Sequence, residues 1–143
     1  MKHYGVVLAC IVVLQSCATA ITSNQARLYH ADNLFKARRY EAAIAAYRNV
    51  LKSNPGPSVA ADAQFSIAST LVYYDNPALN YTQAMDEFGK FLTLYPHDGR
   101  YEEAQSWYMV LKALNETKRE NALLYKKIEQ LKQLDIQRER SLR

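Results

Sequence analysis

Side chains able to do chemistry are scarce in this 143-residue chain, which has two cysteines and three histidines. Cys10 lies inside an apolar run, and Cys17 follows that run after Gln15 and the small residue Ser16. His30 and His97 have no cysteine near them and no His-x-x-x-His partner, which argues against a zinc site. Each is expected at a surface or a helix edge. The acidic pairs Asp86-Glu87 and Glu102-Glu103 are adjacent in sequence. Neighbours on a helix point about 100° apart, so these carboxylates do not converge as an acid–base pair would, and solvated faces are expected for them. There is no glycine-rich phosphate loop and no nucleophile elbow. No residue set supports an enzyme, and no metal, cofactor or small-molecule substrate is expected.

The remaining reactive group is the Cys17 thiol, and the residues before it give it a context. Lys2 supplies a positive charge, and an apolar stretch runs from Gly5 to Leu14. That is too short for a membrane-spanning helix, which needs about 20 apolar residues, and suits an export signal. Leu14, Ser16 and Cys17 resemble the lipobox of bacterial lipoproteins; Gln15 departs from it. The resemblance implies a signal peptide over 1–16, acylation of Cys17 and a lipidated linker over 17–23. Ala18, in place of an aspartate, implies the outer membrane, with the chain on its periplasmic face. Each buried CH₂ of an acyl chain contributes about 0.8 kcal/mol, and two or more chains anchor stably. The other reading is an ordinary secretory peptide cut near Ala18 or Ala20, with Cys17 lost. If Cys17 is lipidated, no thiol remains for a disulfide.

Charge is unevenly distributed. Residues 17–116 carry nine Lys/Arg and ten Asp/Glu, whereas 117–143 carry eight and four. The net +4 of the chain therefore belongs to its C-terminal segment. For an exported chain, nucleic acid is not an expected partner; anionic headgroups or an acidic protein surface fit the basic segment better.

The elements that carry these groups repeat with a period of 41. Tyr40 matches Tyr81, Ala43 matches Ala84, Tyr47 matches Phe88, Leu51 matches Leu92, and Pro55 matches Pro96. Ala63-Gln64 matches Ala104-Gln105. Spacings of three and four put each set on one helical face, and each proline stops its helix. Further apolar stripes at helical spacing are Leu28–Ala31–Leu34, Ala63–Ile67–Ala68–Leu71 and Ala104–Tyr108–Leu111. The spacing predicts six helices, at about 24–37, 40–53, 58–74, 79–94, 99–115 and 117–140, and no sheet.

This pattern resembles tetratricopeptide repeats over about residues 24–116. Ala31 and Ala68 match the small residue of the first helix. Tyr40, Ala43 and Tyr47, then Tyr81, Ala84 and Phe88, match the tyrosine, alanine and aromatic of the second. Val50 and Phe91 replace the late alanine. A third unit, with Met109 at the small position, lacks a second-helix signature. The period exceeds the family's 34 residues. Together with the lipobox and Phe91-Leu92-Thr93-Leu94-Tyr95-Pro96, the repeats are similar to those of BamD-type assembly lipoproteins and of the Tol–Pal-associated coordinator, and more weakly to QseG-like lipoproteins. The fold expected is all-α: a short tetratricopeptide-like array of helical hairpins followed by a long C-terminal helix. The resemblance implies a groove lined by first helices, with Asp32, Phe35, Lys36, Ser69 and Tyr73 placed to hold a peptide or helix. It implies a scaffold for envelope proteins, or an accessory lipoprotein of an envelope sensor kinase.

The basic amphipathic segment 117–143 carries Leu124, Ile128 and Leu131 at helical spacing, and the same phase then meets Asp135 and Arg138. Residues 117–131 are expected to cap the open end of the array. The alternative is a projecting, partner-binding helix presenting Lys126, Lys127, Lys132, Arg138 and Arg140. Beyond Asp135, exposure and fraying are expected. Tyr40, Tyr47 and Tyr81 read as packing residues with a polar tip at the surface.

Overall fold

Proline, asparagine and one strained arginine set the helix ends. The computed structural model describes residues 23–142. The signal peptide expected over 1–16, Cys17 and most of the linker expected over 17–23 lie outside the described residues. Five helices follow one another, and no strand occurs among the described residues: α1 (23–36), α2 (Tyr40–Lys52), α3 (Pro57–Val72), α4 (Tyr81–Leu94) and α5 (Tyr101–Ser141). The chain is thus all-α, a short array of helical hairpins that runs into a long C-terminal helix.

α1 ends in a left-handed turn. Arg38 has φ 60°, and the Arg38 and Arg39 amides donate to the Phe35 and Leu34 carbonyls at 2.9 Å. This is the pattern that usually takes glycine. Asn54, φ 53°, makes the corresponding turn after α2, with Pro55 next to it. Pro57 opens α3 at a position where a missing N–H costs nothing. Asn80 caps α4 by accepting from the Gln83 amide at 3.0 Å.

Successive helices pack on one another, α2 on α3, α3 on α4 and α4 on α5. The repeat-matched residues make that core. Ala43 and Ala84 are fully buried and let helices approach; Tyr47 and Phe88 are buried between them, and Val50 and Phe91 fill the next turn. The substitutions at the late alanine position therefore add core volume. Leu28, Ala31, Ile44, Ala61, Ala63, Ile67, Ala68, Leu71, Ala104 and Leu111 join them in the core cluster.

The two hairpin connections differ in length. Residues 37–39 join α1 to α2, whereas 73–80 join α3 to α4. The longer loop is held by buried Asn76, whose Nδ2 donates to the Thr70 carbonyl at 2.8 Å, and by the Asn80 amide on the Leu71 carbonyl at 3.1 Å. The longer loop adds five residues to the 41-residue period relative to the first connection.

Three expectations are corrected. The break placed between 115 and 117 is absent, and α5 is one helix of 41 residues. Nothing between Tyr101 and Ser141 is glycine or proline, and Thr117 Oγ1 bonds back to the Ala113 carbonyl at 2.9 Å without leaving the helix. Residues 117–131 do not cap the array, because every residue from 116 to 142 is exposed. α5 projects past its last neighbours to Ser141, and the residues beyond Asp135 are exposed, as expected. Glu87, expected on a solvated face, is buried at the junction of three helices. Gln64 Nε2 of α3 donates to its carboxylate at 2.7 Å and to its carbonyl at 3.0 Å. Lys90, at 3.1 Å, and Arg48 of α2, at 3.8 Å, lie on its other oxygen. No helix among the described residues is long and apolar enough to cross a membrane.

Candidate functional site

A groove lies between α1 and α3, and α2 supplies its floor. Its volume is about 270 Å³, and it is lined by Asp32, Phe35 and Lys36 of α1, Tyr47 of α2, and Phe65, Ser66, Ser69 and Thr70 of α3. Helical spacing explains the arrangement. Asp32, Phe35 and Lys36 sit three and four apart, as do Phe65, Ser66 and Ser69, so each set faces the same way.

Four of the five residues expected in a groove are therefore brought together: Asp32, Phe35, Lys36 and Ser69. Tyr73 stands one step aside. It ends α3, and its ring lies 4.9 Å from that of Phe35 and 5.6 Å from that of Tyr40. It does not line the groove and belongs to an aromatic cluster behind Phe35. Tyr40 is buried there with its hydroxyl donating to Asp75 at 3.0 Å, and Arg38 pairs with the same carboxylate at 2.9 Å.

Tyr47 was expected to show its tip at the surface. It is instead buried, and its hydroxyl donates to Asp32 Oδ1 at 2.7 Å. Burial first, and the Asp32 carboxylate second, push this phenol well above the ordinary tyrosine range. It stays protonated, holding Asp32 in place across the groove. Lys36 is exposed and makes no ion pair among the described residues. The groove thus offers aromatic walls, a fixed carboxylate, a free ammonium one helical turn away, and serine hydroxyls. An apolar side chain flanked by a basic and an acidic group fits those surroundings.

The equivalent space one unit on, over Phe88, is filled. Phe65 packs edge-on against Phe88 at 5.8 Å and Trp107 stacks on it at 6.2 Å. Arg100 closes the neighbouring gap, 5.0 Å above the Phe65 ring and 5.6 Å above that of Phe91. Its guanidinium also bonds Asp62 at 2.9 Å and Asp98 at 2.8 Å. That pairing, chiefly the Arg100 hydrogen bonds, holds the Asp98 carboxyl down at about 2. Only the first of the two equivalent spaces is open.

No protein-family model, curated protein or solved structure matches this chain.

Lys126, Lys127, Lys132, Arg138 and Arg140 are all exposed along the projecting half of α5, form no ion pair among the described residues, and do not meet the groove. His30 is exposed on α1 and His97 in the turn before α5. No group of three or more His, Cys, Asp or Glu among the described residues is placed to hold a metal. Sequence reading passed over Phe65, Ser66, Thr70 and Arg100. Phe65 and Ser66 share a face with Ser69, so helical spacing could have found them. Arg100 precedes its helix and carried no such signal.

Proposed function

We propose that this chain is a membrane-anchored periplasmic scaffold of the tetratricopeptide-repeat type, which binds protein partners in envelope assembly or maintenance and performs no catalysis. The observation that carries the reading is the open α1–α3 groove, where an aromatic wall, a positioned carboxylate and a free ammonium converge on stacked hairpins. Such a preformed surface suits an extended or helical segment. The lipobox-like residues before Cys17 supply the anchor. Tethering concentrates the scaffold beside the bilayer and raises its effective concentration for partners held there.

Two variants test the parts separately. Cys17→Ala should abolish metabolic labelling with an alkyne-tagged fatty acid and release the chain from the outer-membrane fraction; retention there without label would overturn the anchor. Phe35→Asp should leave the helical circular dichroism unchanged and remove partners that co-purify with the wild-type chain. Unchanged co-purification would overturn the groove.

The projection of α5 favours one further reading, an accessory lipoprotein that regulates an envelope sensor kinase through its basic helix. Deleting residues 132–143 would then abolish signalling while folding is kept. Loss of outer-membrane barrel assembly instead would point back to the scaffold.

A further inference from the structure

Five carboxylates among the described residues are drawn back from full exposure: Asp32, Asp62, Asp75, Glu87 and Asp98. Four of them meet a cation of the chain. Arg100 pairs with Asp62 and Asp98, Arg38 with Asp75, and Lys90 with Glu87. Asp32 alone pairs with no lysine, arginine or histidine among the described residues. Its place is nonetheless fixed, because the Tyr47 hydroxyl donates to its Oδ1 at 2.7 Å. Oδ2 accepts no hydrogen bond among the described residues, and Asp32 lines the open cavity of about 270 Å³ together with Phe35 and Phe65. A carboxylate half out of water and without a counter-ion, held beside two aromatic rings, is set up to receive a cation.

The chain itself shows which cation completes such a setting. Arg100 lays its guanidinium 5.0 Å above the Phe65 ring and 5.6 Å above that of Phe91, while bonding Asp62 at 2.9 Å. A planar guanidinium stacks on aromatic faces and pairs with a carboxylate at once, whereas an ammonium is a compact, strongly hydrated charge. Phe65 is common to both spaces, since it also walls the open groove. An apolar anchor would seal Asp32 from water without a counter-ion, and an acidic anchor would meet it with like charge. Lys36 lies four residues along α1 but is exposed and leaves Asp32 unpaired. An exposed pair of that spacing contributes too little to keep a buried ligand out. We propose that the groove is a receptor for an arginine side chain of a protein partner. The aliphatic stem lies between Phe35 and Phe65, the guanidinium takes Asp32 Oδ2, and Lys36 at the rim is left for an acidic neighbour in the same partner. The assignment rests on the groove as a protein-binding site and names its anchor.

The full chain in neutral detergent is titrated with acetylated synthetic peptides that differ only at a central residue: arginine, lysine, citrulline or norleucine. Amide NMR shifts of Ser66 and Ser69, which line the cavity, report occupancy. The arginine peptide should move both saturably. It should bind roughly tenfold tighter than the citrulline and norleucine peptides, and roughly threefold tighter than the lysine peptide. Asp32→Asn should remove the preference. Asparagine keeps an oxygen for the Tyr47 hydroxyl, so circular dichroism should not change. Tightest binding by the norleucine peptide would overturn the arginine anchor and leave the groove standing as a binding site. Equal affinity for arginine and citrulline or for arginine and lysine, or a preference unmoved by Asp32→Asn, would also overturn it. So would the absence of a saturable shift from any peptide; only unchanged co-purification by Phe35→Asp would remove the groove as well. A stable dimer in sedimentation that Asp32→Asn dissolves would overturn the partner, since a second copy would then fill the site.

Discussion

Replacing Gln64 by leucine should cost this array about 2–3 kcal/mol. Gln64 is 4 % exposed and Glu87 7 %, and the amide is the only partner of Glu87 Oε2 seen among the described residues. A hydrogen bond to a charged group contributes about 1.5–3 kcal/mol, and removing the donor leaves the carboxylate buried without it. Lys90 and Arg48 do not make up the loss. Both are substantially exposed, and exposed ion pairs contribute about 0–1 kcal/mol. Glu87→Leu removes the charge along with its need for a donor. The remaining Gln64 amide keeps the Glu87 carbonyl at 3.0 Å. The double variant, apolar on both sides, should therefore lie closer to wild type than Gln64→Leu alone. Urea titrations of the four proteins, read as a double-mutant cycle, measure this directly. A coupling energy of about 1 kcal/mol or more is expected, with the Gln64→Leu melting temperature lowered by roughly 8–24 °C for a domain of this size. Additive effects, or a Gln64→Leu cost under about 0.5 kcal/mol, would refute the view that this pair joins α3 to α4.

Four other outcomes follow from particular contacts. Phe91→Ala empties a site that is 0 % exposed and should cost about 3–5 kcal/mol in urea unfolding. Tyr47→Phe should cost about 1 kcal/mol, because half-buried Asp32 can rehydrate when the hydroxyl is gone. Asp98→Asn should lower the melting temperature at neutral pH. The folded Asp98 carboxyl sits at about 2, against about 3.9 when unfolded. Its stabilisation is thus present above about pH 4 and lost as pH falls towards 2, so the two melting curves should converge over that range. Deleting residues 123–143 should leave the unfolding midpoint unchanged while reducing the helical circular dichroism, since those side chains touch nothing in the array.

How far the sequence reaches can be followed residue by residue. Tyr40, Ala43, Tyr47 and their partners 41 residues on became core because spacing on a helix dictates which side chains share a face. Pro55 and Pro96 marked helix ends because a missing N–H has one consequence anywhere. Asp32, Phe35, Lys36 and Ser69 were gathered by the resemblance to a repeat whose first helices line a groove, and spacing alone did not single them out. Spacing could not reveal Gln64 on Glu87 or Arg100 on Asp62, because such pairings join residues whose separation follows no helical period. It misplaced residues 117–131 for a related reason: an apolar stripe states which face is buried in a complete assembly and not which chain buries it. The break expected near Asn115 had no glycine or proline behind it, and the helix runs through.

The most direct measurement is photo-crosslinking in intact cells from a benzoylphenylalanine placed at Ser69 on the groove wall, with Glu102 on exposed α5 as the control site. A scaffold that works through the groove should give a discrete protein adduct from Ser69, lost when Lys36 becomes glutamate and reduced when Cys17 becomes alanine. An absence of adduct from Ser69, or the same adduct from Glu102, would contradict it.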